Sequence, residues 1–292
     1  MKKEIYFYSE GFKIAGDLYI PNNYSEGDKL PAIILCHGFA GIKELLLPAY
    51  AEFFAKNGFI AIVFDYRGFG DSEGQRGRLI PHEQIVDIRN AITYSETVPE
   101  IDPERIGLWG TSFGGANAIV TAAMDNRAKC LVVQLTFGNG KRVITGGQSD
   151  EEKKKLQTML TKAWQRAVTK NKPMNLSVDR ILTDQQSKDF FKTAIDKFPK
   201  LGVKIPIITL QQTIEYAPEN FISAVRIPIF IVAAEKDAVN PLKESEYLFE
   251  KANHPKSFYC VEDATHYEVY EGKKFEITSQ KQIEWFKKYL LG

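Results

Sequence analysis

Cysteine is scarce in this chain. The three residues Cys36, Cys130 and Cys260 make an odd count with no clustered spacing, which argues against a disulfide framework and a zinc site alike. Each sits in or beside an apolar run, where a free thiol behaves as a small buried hydrophobe. Histidine is also sparse: four residues, scattered and without the H-E-x-x-H arrangement of a metal helix. No apolar run approaches the roughly 20 residues needed to cross a bilayer, and the opening Met-Lys-Lys-Glu-Ile-Tyr-Phe-Tyr-Ser-Glu has no apolar stretch of signal-peptide length. An excess of one charge is missing too. Lys and Arg number 38 against 37 Asp and Glu, so no general field draws in nucleic acid or an anionic membrane. The local run Glu151-Glu152-Lys153-Lys154-Lys155 offsets its own charge and reads as a solvated helix face. Gly-x-Gly patterns fall in loops without the strand–turn–helix context of a dinucleotide site. The expectation is a reduced, cytoplasmic, globular protein that uses no metal or organic cofactor and binds no nucleic acid, with homo-oligomer formation left open.

Short β-branched runs alternate with helical patterns through most of the chain. Ile33-Ile34-Leu35 precedes a helical stretch from about Lys43 to Lys56, and Phe59 to Phe64 follows as a strand. Pro81 opens a helix carrying Ile85, Ile88 and Ile92, in keeping with proline's preference for the first helical position. Ile106 to Trp109, a helix from Ser112 to about Met124, and Leu131-Val132-Val133 continue the alternation. Continuous apolar strands separated by helices are what a parallel sheet covered on both faces requires. Two N-terminal runs, Ile5 to Tyr8 and Lys13 to Ile20, read as an antiparallel hairpin on the sheet edge. The alternation stops near Phe137 and resumes at Ile227, with strands at 229–232 and 257–261 and helices at 242–252 and at the end of the chain. Between lies a helical insertion. Ser149 and Glu152 have capping-box spacing, and a second helix includes Phe190, Phe191, Ala194, Ile195 and Phe198. The predicted architecture is an α/β core of residues 1–137 and 227–292, interrupted by residues 138–226.

Two segments match G-x-S-x-G: Gly110-Thr111-Ser112-Phe113-Gly114 and Gly70-Asp71-Ser72-Glu73-Gly74. A nucleophile elbow needs a strand before the serine and a helix after it. Ser112 has both. Ser72 is followed by Gln75-Arg76-Gly77-Arg78 with no apolar period, and its acidic neighbours would oppose a developing oxyanion, so it reads as a loop residue. A serine hydroxyl needs an adjacent base. Of the four histidines, His266 follows the last predicted strand, where a loop at the sheet's C-terminal edge can reach Ser112. His37 reads as a structural loop residue, and His82 and His254 sit in a helix turn and a connection. The base needs a carboxylate to set its tautomer. Asp237, just after the strand at 229–232, has that position, with Glu235 and Asp263 as competitors. The order Ser112, Asp237, His266 is that of α/β-hydrolases rather than of chymotrypsin-like or subtilisin-like proteases. An oxyanion hole would use the backbone N–H of Phe113 and, from the loop after Ile33 to Cys36, that of Phe39.

Together His37-Gly38-Phe39, the run from Asp65 to Gly74, Gly110 to Gly115, Asp237 and His266 resemble the α/β-hydrolase superfamily, in particular bacterial and archaeal esterases, feruloyl and acetyl esterases, and dipeptidyl-peptidase-like hydrolases. The resemblance covers most of the chain outside residues 138–226. It implies an α/β-hydrolase fold with a mostly parallel sheet, and a lid formed by that stretch. The chain lacks the extended glycine oxyanion motif of hormone-sensitive-lipase-like esterases. Its serine nucleophile separates it from dienelactone hydrolases and haloalkane dehalogenases.

The leading function is hydrolysis of a small-molecule carboxylic ester through an acyl-enzyme on Ser112, with Trp164, Phe190 and Phe191 as candidate pocket residues. The same triad would serve thioester cleavage, acyl transfer or peptide cleavage. A binding protein that kept the fold and lost the chemistry is the third reading.

Overall fold

In the computed structural model, which describes residues 1–292, the chain runs β1 (Lys2–Ser9), β2 (Phe12–Tyr19), β3 (Leu30–Cys36), α1 (Leu47–Lys56), β4 (Ile60–Phe64), α2 (Pro81–Thr97), β5 (Ile101–Thr111), α3 (Phe113–Met124) and β6 (Cys130–Gln134). There follow α4 (Gly140–Thr145), α5 (Asp150–Lys170), β7 (Asn175–Leu176), α6 (Val178–Ile181), α7 (Gln185–Lys197), β8 (Ile205–Pro206) and α8 (Thr209–Ile214). Then β9 (Ile229–Ala234), α9 (Leu242–Lys251), β10 (Lys256–Val261) and α10 (Gly272–Leu290) complete the alternation. No helix is long and apolar enough to cross a membrane.

Eight strands form one sheet in the order β1-β2-β4-β3-β5-β6-β9-β10. The hairpin β1–β2 pairs antiparallel at one edge, and every pairing from β4 to β10 is parallel. Side chains alternate between faces along each strand. Ile33, Val63, Trp109 and Val132 therefore join Phe54 of α1 and Phe286 of α10 in one buried cluster. Ile34, Ile62, Leu108 and Val133 join Ile88 of α2, Ile119 of α3 and Leu248 of α9 in the other. That second cluster also takes in Leu160, Phe191 and Leu210 of the insertion, which packs on the core instead of standing apart from it.

The expected α1 helix starts later than its apolar period. Lys43 donates its backbone N–H to Asp65 Oδ1 at 2.7 Å, and Leu46 has φ 64°, so residues 43–46 form a turn before Pro48 enters the first helical turn. In the insertion, the Ser149–Glu152 capping box forms, while α7 ends at Lys197 and leaves Phe198 beyond it.

The loop after β4 is fastened from inside. Arg67 donates through Nε and Nη2 to Asp87 Oδ1 at 2.9 and 2.7 Å, and through its backbone N–H to Oδ2 at 3.0 Å. Ser9 Oγ donates to the same carboxylate at 2.6 Å, so one buried ion pair ties β1, α2 and this loop together. Removing Asp87 leaves the buried Arg67 only the exposed Glu10 carboxylate, 2.6 Å from Nη1, so the cost approaches about 3–5 kcal/mol, that of a stranded buried charge. Asp87→Ala is expected to lower the urea unfolding free energy by about that amount; a loss below about 1 kcal/mol would show that Arg67 reaches water instead.

Candidate active site

The six parallel strands β4, β3, β5, β6, β9 and β10 end on one edge of the sheet. There β3 and β5 lie side by side with Cys36 opposite Gly110, and β9 and β10 pair with Ala234 opposite Val261. Ligand sites in open α/β sheets form at this edge.

Ser112 stands in the turn between β5 and α3 with φ 53° and ψ −123°. A non-glycine residue there is strained by about 1–3 kcal/mol and persists only where its surroundings hold it. Small neighbours make the turn fit. A Cβ on Gly114 would lie 2.2 Å from Cys36 O, and one on Gly110 would lie 2.6 Å from Gly114 O. Ser112 N–H donates to Gln134 O at 2.9 Å, and Thr136 Oγ1 donates to Ser112 O at 2.8 Å. The other serine in a matching pattern, Ser72, is consumed structurally. It is buried, donates to Asp65 O at 2.6 Å and accepts from Ala15 N–H at 2.9 Å.

The loop after β3 comes up against Ser112: a Cβ on Gly38 would lie 3.1 Å from Ser112 Cβ. The rings of Phe39 and Phe113 meet edge to face at 5.7 Å. Phe113 opens α3, so its N–H has no intrahelical partner, and the Phe39 N–H is not spent on a backbone carbonyl. Two backbone donors thus remain free on either side of Ser112.

His266 Nδ1 donates to Asp237 Oδ2 at 2.7 Å, with the two side chains 3% and 1% exposed. That bond leaves Nε2 as the acceptor nitrogen. The other Asp237 oxygen accepts from the N–H groups of Val239 and Asn240, both at 2.8 Å. The competing carboxylates are engaged elsewhere: Glu235 accepts from Asp263 N–H at 2.8 Å, and Asp263 pairs with Lys236. Ser112 and His266 line the same cavity. In this structure Ser112 Oγ accepts from Asn240 Nδ2 at 3.2 Å, and the same amide donates to Leu135 O at 2.7 Å. Catalytic hydrogen bonds in ligand-free sites commonly tighten only on substrate binding.

The cavity measures about 320 Å³, and 20 of its 32 lining residues are hydrophobic, which suits an apolar substrate portion. Phe190 and Phe191 line it, with Leu156, Met159 and Leu210 from neighbouring helices of the insertion. Trp164 is not brought there. It is 38% exposed, because Leu160 and Ala163 occupy the buried stripe of α5 and Trp164 sits a further step round the helix.

Two contacts carry no sequence signal: Asn240 on Ser112, and Gln186 of α7 on the loops of Asp237 and His266. An amide side chain in a loop or first turn belongs to no periodic pattern, so only the folded geometry reveals them.

His37 is buried, with Nδ1 3.1 Å from Gly38 O and its ring against Tyr66 at 4.7 Å. Burial lowers its pKa from 6.5 to about 4. Asp65 goes the other way, its carboxyl pushed up to about 6 by burial. Between about pH 6.5 and pH 4 the unfolded chain protonates His37 and the folded chain does not, so this residue makes stability fall as pH falls. His37→Gln is expected to flatten that decline relative to the parent protein in urea titrations across the same window; an unchanged slope would contradict a buried neutral imidazole. Gly114→Ala should push β3 away from the elbow and destabilise by about 1–3 kcal/mol, with activity falling at temperatures where the variant is still folded; full activity would mean that the elbow tolerates a Cβ.

The chain matches the family described as serine aminopeptidase, S33, over residues 27–273. It is 41% identical over 280 residues to a 31.7 kDa Escherichia coli protein of the traX-finO intergenic region, covering 95% of this chain and 98% of that one. It is 30% identical over 296 residues to thiohydrolase aneE of Aspergillus aculeatus, covering 97% of this chain and 92% of the relative. Among solved structures, DcsB in complex with its substrate analogue has a TM-score of 0.88 at 25% identity, with all of both chains covered. The protein therefore belongs to the serine aminopeptidase S33 family, and is a hydrolase of the α/β-hydrolase fold.

Proposed function

We propose that the protein hydrolyses carboxylic esters through an acyl-enzyme on Ser112. The observation that carries this reading is the buried His266–Asp237 bond at 2.7 Å beside a serine in a left-handed elbow, both opening on one apolar cavity. Ser112 Oγ attacks the ester carbonyl as His266 Nε2 takes its proton. The N–H groups of Phe39 and Phe113 receive the oxyanion, where fixed donors are worth more than water because they need no reorganisation. His266 then protonates the departing alcohol. Water enters, gives its proton to His266 and attacks the acyl carbonyl, and Ser112 leaves with that proton as the acid is released. Asp237 keeps the imidazole in the productive tautomer and stabilises its charged form. The helical insertion acts as the lid, and its apolar face limits water around the acyl-enzyme.

Thioester hydrolysis is the second reading, favoured by the 30% identity to a thiohydrolase. The triad chemistry is unchanged and only the leaving group differs. Cleavage of peptides from a free amino end has less support. Among the cavity-lining residues the single carboxylate is Asp184, and its Oδ1 already accepts from Ser187 N–H at 2.7 Å to cap α7.

Turnover of p-nitrophenyl esters is expected to exceed that of an aminoacyl anilide, and a thioester of the same acyl group separates the two readings by kcat/KM. Ser112→Ala should lower kcat by about three orders of magnitude or more, and Asp237→Asn by about four, through the wrong imidazole tautomer. Undiminished turnover in Ser112→Ala would remove the assignment, and preference for the anilide would favour the peptidase.

A further inference from the structure

The insertion touches the catalytic machinery itself at one side chain. Gln186 lies in the first turn of α7, which Asp184 caps. Its Nε2 donates to Lys236 O at 2.9 Å. Its Oε1 accepts from Ala238 N–H at 3.3 Å and from His266 N–H at 3.2 Å. One amide therefore holds the residues on both sides of Asp237 and the backbone of His266. The next residues of the same turn reinforce the contact. Ser187 Oγ lies 3.0 Å from Tyr267 OH, and Phe190 stacks on the Tyr267 ring at 4.1 Å and 10°.

We propose that Gln186 is a positioning residue that clamps the Asp237 loop to the His266 loop, so that the insertion completes the active site as well as covering it. The inference rests on the reading of Ser112, His266 and Asp237 as the triad. The two loops leave neighbouring strands, and Lys236 N–H also bonds Ala264 O at 2.8 Å. That tie sits before both catalytic residues. Gln186 binds beyond it, at the His266 backbone and at the residue after Asp237, where the geometry of the imidazole–carboxylate bond is decided. A displacement of about 1 Å in such a group costs up to about a hundredfold in rate. All three bonds come from one side chain of α7, so the insertion holds the two loops at a single point.

The test compares Gln186→Met, which keeps the bulk and loses all three bonds, with Gln186→Glu, which keeps the acceptor for the two N–H groups. Two readouts are taken: kcat and KM on p-nitrophenyl butyrate, and the rate at which a fluorophosphonate labels Ser112. Gln186→Met is expected to lower both kcat and the labelling rate by about ten- to a hundredfold, with KM little changed and the melting temperature near that of the parent. Gln186→Glu should recover most of the loss. Parent-like rates in Gln186→Met, a loss confined to KM, or a Glu variant no better than Met would each overturn the clamp. Labelling reads serine activation whatever the natural ester, so a parent protein that is labelled but turns over no ester counts against the ester reading alone.

Discussion

The left-handed turn at Ser112 makes demands that spread through the neighbouring structure. The strained backbone must be held from several sides, and the adjacent strands do this at close range. There is no room for a Cβ at Gly114, 2.2 Å from Cys36 O, so β3 and the elbow are pressed together. That same closeness brings the loop at Gly38 and Phe39 alongside Ser112. On the other flank, Gln134 and Thr136 at the end of β6 take up the Ser112 backbone. Strain at the turn and the placement of that loop are one packing solution.

Asp237 and His266 stand on loops that leave β9 and β10 at the far edge of the sheet. Parallel pairing of β9 with β10 brings the loops together, and the buried bond between His266 and Asp237 orients the imidazole. The helices that follow β6 then supply the apolar wall of the cavity and, through Gln186, a hold on both loops. Burial recurs as the tuning device. It keeps His37 neutral and raises the Asp65 carboxyl, while Asn240 bridges the serine hydroxyl and the backbone after β6.

Much of this was legible from residue patterns, for identifiable reasons. A strand buried on both faces must be apolar throughout, as β4 is, so the sheet announces itself. The elbow was legible because its pattern sat between a strand and a helix, the context that Ser72 lacked. Selecting Asp237 over Glu235 depended on how the loop leaves β9, which a two-residue difference in sequence does not settle. The insertion was read only in its long helices. Its four-residue α6 and six-residue α4 are too short to display a helical period. The helical period puts Trp164 on the same apolar face as Leu160 and Ala163, yet only those two are buried in α5, and one residue along a helix turns the side chain by about 100°. Gln186 and Asn240 act through tertiary contacts across 50 or more positions of chain, and a lone amide leaves no local mark.

The most direct measurement is the site and stoichiometry of covalent labelling. The purified protein is treated with an excess of fluorophosphonate, and the adduct is located by intact-mass and peptide mass spectrometry. The account predicts one adduct per chain, on Ser112, absent from Ser112→Ala and strongly slowed in Asp237→Asn. An adduct on Ser72 or any other serine, or a folded protein that takes up no label, would contradict it.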